Sequence, residues 1–339
     1  SAASDVYKRQ ISSELPEHVT APKGSGTSEN PYLLRTEADL QKLSEQVASG
    51  ESFAGKHFRL ENDITLTELW TPIGPSDSKP FSGTFDGNYH IIDNLVITST
   101  ATGRYGLFGS IYGGTVKNLG LTNVNIDTPS AYYAGGVAGL LGDNSVIEHC
   151  FVTGSVRGNT AGGIVGGFHV GTTPNTCYIR HCYSTASVAA TSYAGGIVGQ
   201  NSGSASHPAR KSIVNCYSTG VVSADTSRGG IVGFSSYSVT VKQSVTLPPS
   251  MASTGTSWGR IGGGTSGTFA DNYAWDGISA TAGATTKHGG DWTGDAIKAA
   301  SSWTGLSYAS EHWITADDAL PILTGFAGGQ DSTCLLYTS

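Results

Sequence analysis

The sequence has little of what most globular chains use to hold themselves together. Only 13% of its 339 residues are charged, and it contains a single Met. No apolar run approaches the ~20 residues of a membrane-spanning helix, so helical membrane insertion is not expected. No charged-then-apolar segment of the secretory type opens the chain. Acids are scarce where a catalytic carboxylate pair would be sought: eleven of the 26 fall between Asp5 and Glu68, and from Cys150 to Ala270 Asp225 stands alone among seven bases. What is abundant is glycine, with 47 residues beside an apolar content of 38%. That content is too high for a disordered Gly-rich tract and suits short strands joined by many turns.

The glycines recur. Gly-apolar-apolar-Gly appears as Gly106-Leu107-Phe108-Gly109 and again from Gly136, Gly163, Gly196 and Gly230, at steps of 30, 27, 33 and 34 residues. A second column runs between these anchors: Val116-Lys117-Asn118-Leu119, Ile147-Glu148-His149-Cys150, Ile179-Arg180-His181-Cys182 and Ile213-Val214-Asn215-Cys216. Alternating β-formers such as Tyr183 to Val188 follow each copy, and no helical periodicity intervenes. A unit of two or three short strands cannot close a core alone, so copies must stack. Stacking in register gives a parallel β-solenoid of about six or seven coils, ~4.8 Å apart, with equivalent residues in ladders. Gly136, Gly163, Gly196 and Gly230 then serve as a structural ladder that permits positive φ or close backbone approach. A phosphate-cradling role is excluded, because no helix pattern follows these glycines.

Open solenoid ends need covers. Thr36 can cap a helix with Asp39 in the capping-box position, and Leu40, Leu43 and Val47 share one face until Gly50, which predicts an N-terminal capping helix over 36–49. Trp292, Trp303 and Trp313, leading into Leu320-Pro321-Ile322-Leu323, predict an irregular C-terminal cap that plugs the far opening. Asp86 in Phe81-Ser82-Gly83-Thr84-Phe85-Asp86-Gly87-Asn88 reads as a turn residue. The expected organisation is a single β-helix domain over 24–328, with cap 24–68, Gly-rich coils 69–280 and cap 281–328. Residues 1–23 and 329–339 match nothing in the repeats and are expected to be non-native or disordered, with any signal peptide or anchor outside them.

At these residues the sequence resembles the GLUG-motif repeat family, named for its Gly-Leu-any-Gly element. The Phe-Ser-Gly-Thr-Phe-Asp-Gly-Asn entry, the five anchors and the Asn/His-Cys-Tyr column agree in order, although only Gly106-Leu107-Phe108-Gly109 carries the Leu. The resemblance implies an all-β, right-handed parallel β-helix in bacterial extracellular or cell-surface proteins, including adhesin-like chains and accessory regions of IgA-directed peptidases. It implies no catalytic residues.

The chemistry follows from the columns. Cys150, Cys182 and Cys216 would stack with Cβ atoms ~4.8 Å apart, too far for the usual disulfide, and their spacing matches no zinc pattern. They read as an inward ladder of free thiols, with His149 and His181 outward as two stacked imidazoles and no metal or cofactor. Carboxylates at glycosidase spacing are lacking. The enzyme reading still permitted is a calcium-free polysaccharide lyase using Arg180 or Arg228 and Tyr193. The preferred reading is a non-enzymatic, monomeric binding or adhesion module for glycans or host surfaces, using Tyr132, Tyr133, Tyr193 and Tyr237 in loops beside Arg180 and Arg228. A stiff spacer of a longer surface protein is the alternative. Nucleic acid is disfavoured, since bases are scattered and the net charge is −7.

Overall fold

The computed structural model describes residues 23–169, 176–201, 210–236, 239–253, 257–264, 266–278, 286–308 and 311–333. The chain winds into a right-handed parallel β-helix of about seven turns. One position runs in register through Phe58, Phe85, Val116, Ile147, Ile179, Ile213 and Val241. All seven are buried, so each coil adds one apolar side chain to a continuous internal stack. Of the tails expected at 1–23 and 329–339, residues 1–22 and 334–339 lie outside the described residues, whereas 329–333 is tied to the C-terminal segment: Gln330 Nε2 donates to the Leu323 carbonyl at 2.8 Å, and the Leu320 N–H donates to the Ser332 carbonyl at 2.9 Å.

Two residues beyond this ladder the backbone turns through the left-handed region. Asn118, His149, His181, Asn215, Gln243 and Asp271 all have φ between 50° and 55°. Asn, Asp and His tolerate this conformation best among residues with a Cβ, which explains what occupies the third place of the second column. The corner sends the next residue back inward. Cys150, Cys182 and Cys216 are fully buried and free. Each thiol's nearest acceptor is the carbonyl two residues earlier in its own coil, Glu148, Arg180 and Val214, at 3.2, 3.2 and 3.3 Å, with a carbonyl of the preceding coil, Val116, Ile147 and Ile179, at 3.9, 3.9 and 3.8 Å. Burial pushes the Cys150 and Cys216 thiols above their ordinary range.

The Gly anchors form a second wall, a five-stranded parallel sheet of Phe108–Ile111, Ala138–Leu141, Val165–Phe168, Val198–Asn201 and Val232–Ser235. Of the two reasons expected for glycine, close approach is the operative one: Gly136, Gly163, Gly196 and Gly230 are not among the positive-φ glycines. A Cβ on Gly163 would lie 2.2 Å from the Gly196 carbonyl oxygen and 2.3 Å from Ser184 Oγ.

The capping helix spans Glu37–Ser49, with Thr36 and Asp39 in a reciprocal capping box and Gly50 at φ 114°. Leu40, Leu43 and Val47 are buried against the first coil, and Ser44 Oγ donates to the Thr71 carbonyl at 2.9 Å. The C-terminal cap is irregular, but its tryptophans do not sit in the mouth of the helix. Trp292, Trp303 and Trp313 belong to a second apolar cluster, with Phe151, Tyr183, Tyr217, Tyr308 and Leu323, on the outside of the wall. The terminal segment therefore straps back along the coils.

Gly163→Ala is expected to cost roughly 1–3 kcal/mol, because backbone and a buried hydroxyl must give way. Gly305→Ala, where nothing lies within 4 Å, should stay within about 0.5 kcal/mol of the parent. Urea unfolding of both variants checks the contrast; equal losses would show that close approach is not what the anchor glycines provide.

Candidate functional site

Phe151, Tyr183 and Tyr217 occupy one register column and point outward. Their rings stack at 5.2 and 4.9 Å with interplanar angles of 6° and 1°. Such an aromatic ladder could serve sugars if it were open, but the strap covers it. Phe326 meets Phe151 edge-on at 5.1 Å, and Trp303 meets Tyr217 at 5.6 Å. Polar fixings hold the cover down: Tyr217 Oη donates to the Pro321 carbonyl at 2.7 Å, Tyr308 Oη to the Cys216 carbonyl at 2.8 Å, and Asn215 Nδ2 to the Leu306 carbonyl at 2.7 Å. Tyr217 and Tyr308 are fully buried, and burial raises both phenols well above their ordinary pKa.

The two column histidines lie beneath this strap, which corrects the expectation of a mutual stack. His181 stacks on His312 of the strap at 3.9 Å, and His149 meets the same ring edge-on at 5.6 Å. Their left-handed corners aim them at the strap. His149 Nε2 lies 3.2 Å from the His312 carbonyl oxygen. Among the described residues no group of three or more His, Cys, Asp or Glu is arranged to hold a metal.

The second place of the column builds a charge ladder on the outer face. Arg59, Asp86, Lys117, Glu148 and Arg180 are successive register neighbours of alternating sign. Lys117 Nζ lies 3.4 Å from Asp86, and Arg180 Nε donates to Glu148 at 2.7 Å. Asp86 Oδ1 also accepts the Asn88 N–H, so its bend role and its ladder role coexist. Arg59 breaks the pattern by pairing with Glu61 at 3.1 Å. Between the 24–31 loop and the ladder, Arg59, Thr84, Asp86, Thr115, Lys117 and Glu148 line a cleft of about 320 Å³. The alternation of Lys117, Glu148 and Arg180 stood in the aligned repeats and could have been found there.

The residues expected to form a ligand face do not converge. Arg180 is engaged by Glu148 on the ladder wall. Arg228 is 8% exposed, its guanidinium 5.0 Å over the Trp258 ring, so it is not a surface base; it interrupts the buried Ala161 and Ala194 positions. Tyr133 and Tyr193 lie in strands rather than loops. They share one column through Thr160, but Tyr193 stacks on Phe234 at 4.7 Å, and burial raises the Tyr133 phenol. Tyr132 is 58% exposed. Tyr237 lies outside the described residues.

These features define a parallel β-helix repeat protein with a side strap. Within that class the chain carries the GLUG motif, which matches residues 130–157. It is 32% identical to Halomucin of Haloquadratum walsbyi over 154 residues, 42% of this chain and 2% of that protein. It is 37% identical to a Gly-rich membrane protein of Evansella cellulosilytica over 116 residues, 32% of this chain and 13% of that protein. The chain therefore spans a small part of each relative. The crystal structure of a Bacteroides ovatus chain, whose name assigns it as an immunoglobulin A1 protease, superposes with a TM-score of 0.70 at 24% identity. The match covers 89% of this chain and 94% of that one and shows the shared fold.

The surroundings of His181 predict a loss of stability in acid. Burial, with the His312, Arg180 and His149 charges, pushes the His181 pKa from 6.5 down to about 4. Above the unfolded value both states are neutral there; as pH falls from 6.5 toward 4 the unfolded chain takes a proton that the folded one refuses, so stability falls. Thermal melts at pH 7 and pH 4.5 are expected to show this loss, and His181→Asn, which keeps a residue suited to the left-handed corner, should reduce it. An unchanged pH dependence in that variant would remove His181 from the account.

Proposed function

We propose that this chain is a non-catalytic module of a longer extracellular or cell-surface protein, in which the β-helix acts as a stiff spacer. The observation that carries this reading is that the side chains best suited to handle a ligand serve the fold instead. Phe151, Tyr183 and Tyr217 lie under the strap, and Arg180 is neutralised by Glu148. A lyase needs a base, a neutralising Arg and an acid around one point; Tyr193 and Arg228 lie on paired strands but one residue out of step, so that their side chains take opposite faces, and Arg180 lies on another strand segment. The small share of each relative that the chain covers supports a modular role, and the membrane-protein name of one relative supports the location.

Glycan binding or adhesion is the second reading, favoured by the polar cleft beside Arg59 and Lys117. Incubation of the chain with neutral and acidic polysaccharides separates the possibilities. The spacer reading expects neither retention on a glycan array nor release of unsaturated, ultraviolet-absorbing products. Retention without cleavage would move the assignment to binding, and unsaturated products would overturn the non-catalytic assignment.

A further inference from the structure

We infer that the hairpin within the strap is an acid-released clasp: protonation of the histidines beneath it lifts its open end, His312 and Thr324, off the coils and uncovers the Phe151 end of the outer aromatic ladder. This goes beyond the spacer reading and stands whether or not the module also binds a ligand.

The hairpin is small. Trp313–Ile314 pairs antiparallel with Ile322–Leu323, and at the open end the Thr324 N–H donates to the His312 carbonyl at 3.1 Å. An isolated hairpin of this size is not stable in water, so it depends on what it lies against. Its turn end is fastened away from the histidines: Tyr217 Oη donates to Pro321, the Asp318 N–H to the Lys298 carbonyl at 2.8 Å, and the Ala300 N–H to the Asp317 carboxylate at 2.9 Å. The open end rests on imidazoles. His312 stacks on His181 and meets His149 edge-on, while His149 Nε2 lies 3.2 Å from the His312 carbonyl oxygen and 3.5 Å from Thr324 Oγ1. Phe326, just beyond, caps Phe151 and leaves it when this end lifts.

The corner column shows that the placing of histidine is local. Its members are Asn118, His149, His181, Asn215, Gln243 and Asp271, and the two beneath His312 are the imidazoles. The next two hold the strap with neutral amides, Asn215 on the Leu306 carbonyl and Gln243 Nε2 on Ser307 Oγ at 3.3 Å. Asn and His both suit a left-handed corner, but only His gains a charge in mild acid.

The groups facing the trio match added protons poorly. Glu148 is held by Arg180, whose own charge bears on His181. Glu311 Oε1 lies 3.3 Å from His312 Nε2 but is 82% exposed. The Tyr89 and Phe326 rings meet His149 edge-on, and Cys182 beside His181 is a buried free thiol. Burial holds His149 below its ordinary range and takes His181 to about 4, so between pH 6.5 and 4 a lifted end binds protons that the closed end refuses. From His181 alone the ratio of closed to lifted forms falls roughly 50-fold between pH 7 and pH 4.5. Lifting also relieves a cost on this half of the strap. Trp313 Nε1 is buried without a partner, whereas Trp303 Nε1 donates to the Ile297 carbonyl at 2.7 Å. Water satisfies the Trp313 donor once the end is free.

Hydrogen exchange of the full chain at pH 7 and pH 4.5, corrected for intrinsic amide rates, tests this. Peptides within 311–326 are expected to lose protection by about tenfold or more at pH 4.5, while peptides within 294–306 and from the five anchor strands change less than about threefold. The double variant His149→Asn with His181→Asn, and separately His312→Gln, should keep the protection seen at pH 7 and shrink the acid loss below about threefold. Equal losses in the hairpin, in 294–306 and in the anchor strands would show that acid acts on the whole fold and would overturn the clasp. An unchanged loss in both variants would assign it to a carboxylate such as Glu311 or Asp317 and do the same, as would full protection of 311–326 at pH 4.5.

Discussion

Each coil's backbone N–H and C=O groups find their partners in the coils above and below, and this forces the register on which everything else depends. A parallel ladder places equivalent residues directly over one another, so any side chain chosen in one coil must tolerate its counterpart in the next. Inside the wall, aliphatic groups and small thiols meet that condition. Outside it, like charges in adjacent coils would repel, and the chain alternates Asp86, Lys117, Glu148 and Arg180 instead. Exposed pairs of this kind contribute only about 0–1 kcal/mol each. Their larger effect is on register, since a one-coil slip would set like signs together.

The same constraint made much of the fold legible in advance. The glycine anchors, the inward Ile and Cys positions and the capping helix from Thr36 all rest on local patterns that repeat or on short-range capping chemistry. The left-handed corner was also written in the sequence, as Asn, His, Gln or Asp before each Cys or its replacement. Simple strand alternation put His149 and His181 on an outer face, but alternation does not say what covers that face. The corner conformation is what aims both rings at the terminal strap.

The strap itself was not legible. Its contacts join residues far apart in sequence, such as Tyr217 with Pro321 and His149 with His312, and nothing periodic announces them. Trp303 and Trp313 signalled only that a large apolar surface had to be covered. An open mouth and an outer aromatic ladder are equally good partners for tryptophan on composition alone. Stacked Phe151, Tyr183 and Tyr217 decide the matter, because three large rings facing water in adjacent coils would form an exposed apolar patch. Covering them joins coils that otherwise touch only their immediate neighbours. The solenoid thereby gains contacts of much longer sequence separation than stacking alone supplies.

Function, in such a molecule, is to be sought where the repeat fails. A uniform ladder pairs its own charges coil by coil, as Arg180 is paired with Glu148 in the middle of the stack. Arg59 stands at the edge of the alternation, with Leu33 where an acid would continue it. Its acidic register neighbour, Asp86, is taken by Lys117, and Arg59 turns to Glu61. The cleft beside it is bounded by the 24–31 loop. The departure of Arg59 from the ladder thus arises from the register meeting its own end, without any departure from the packing that holds the rest of the chain.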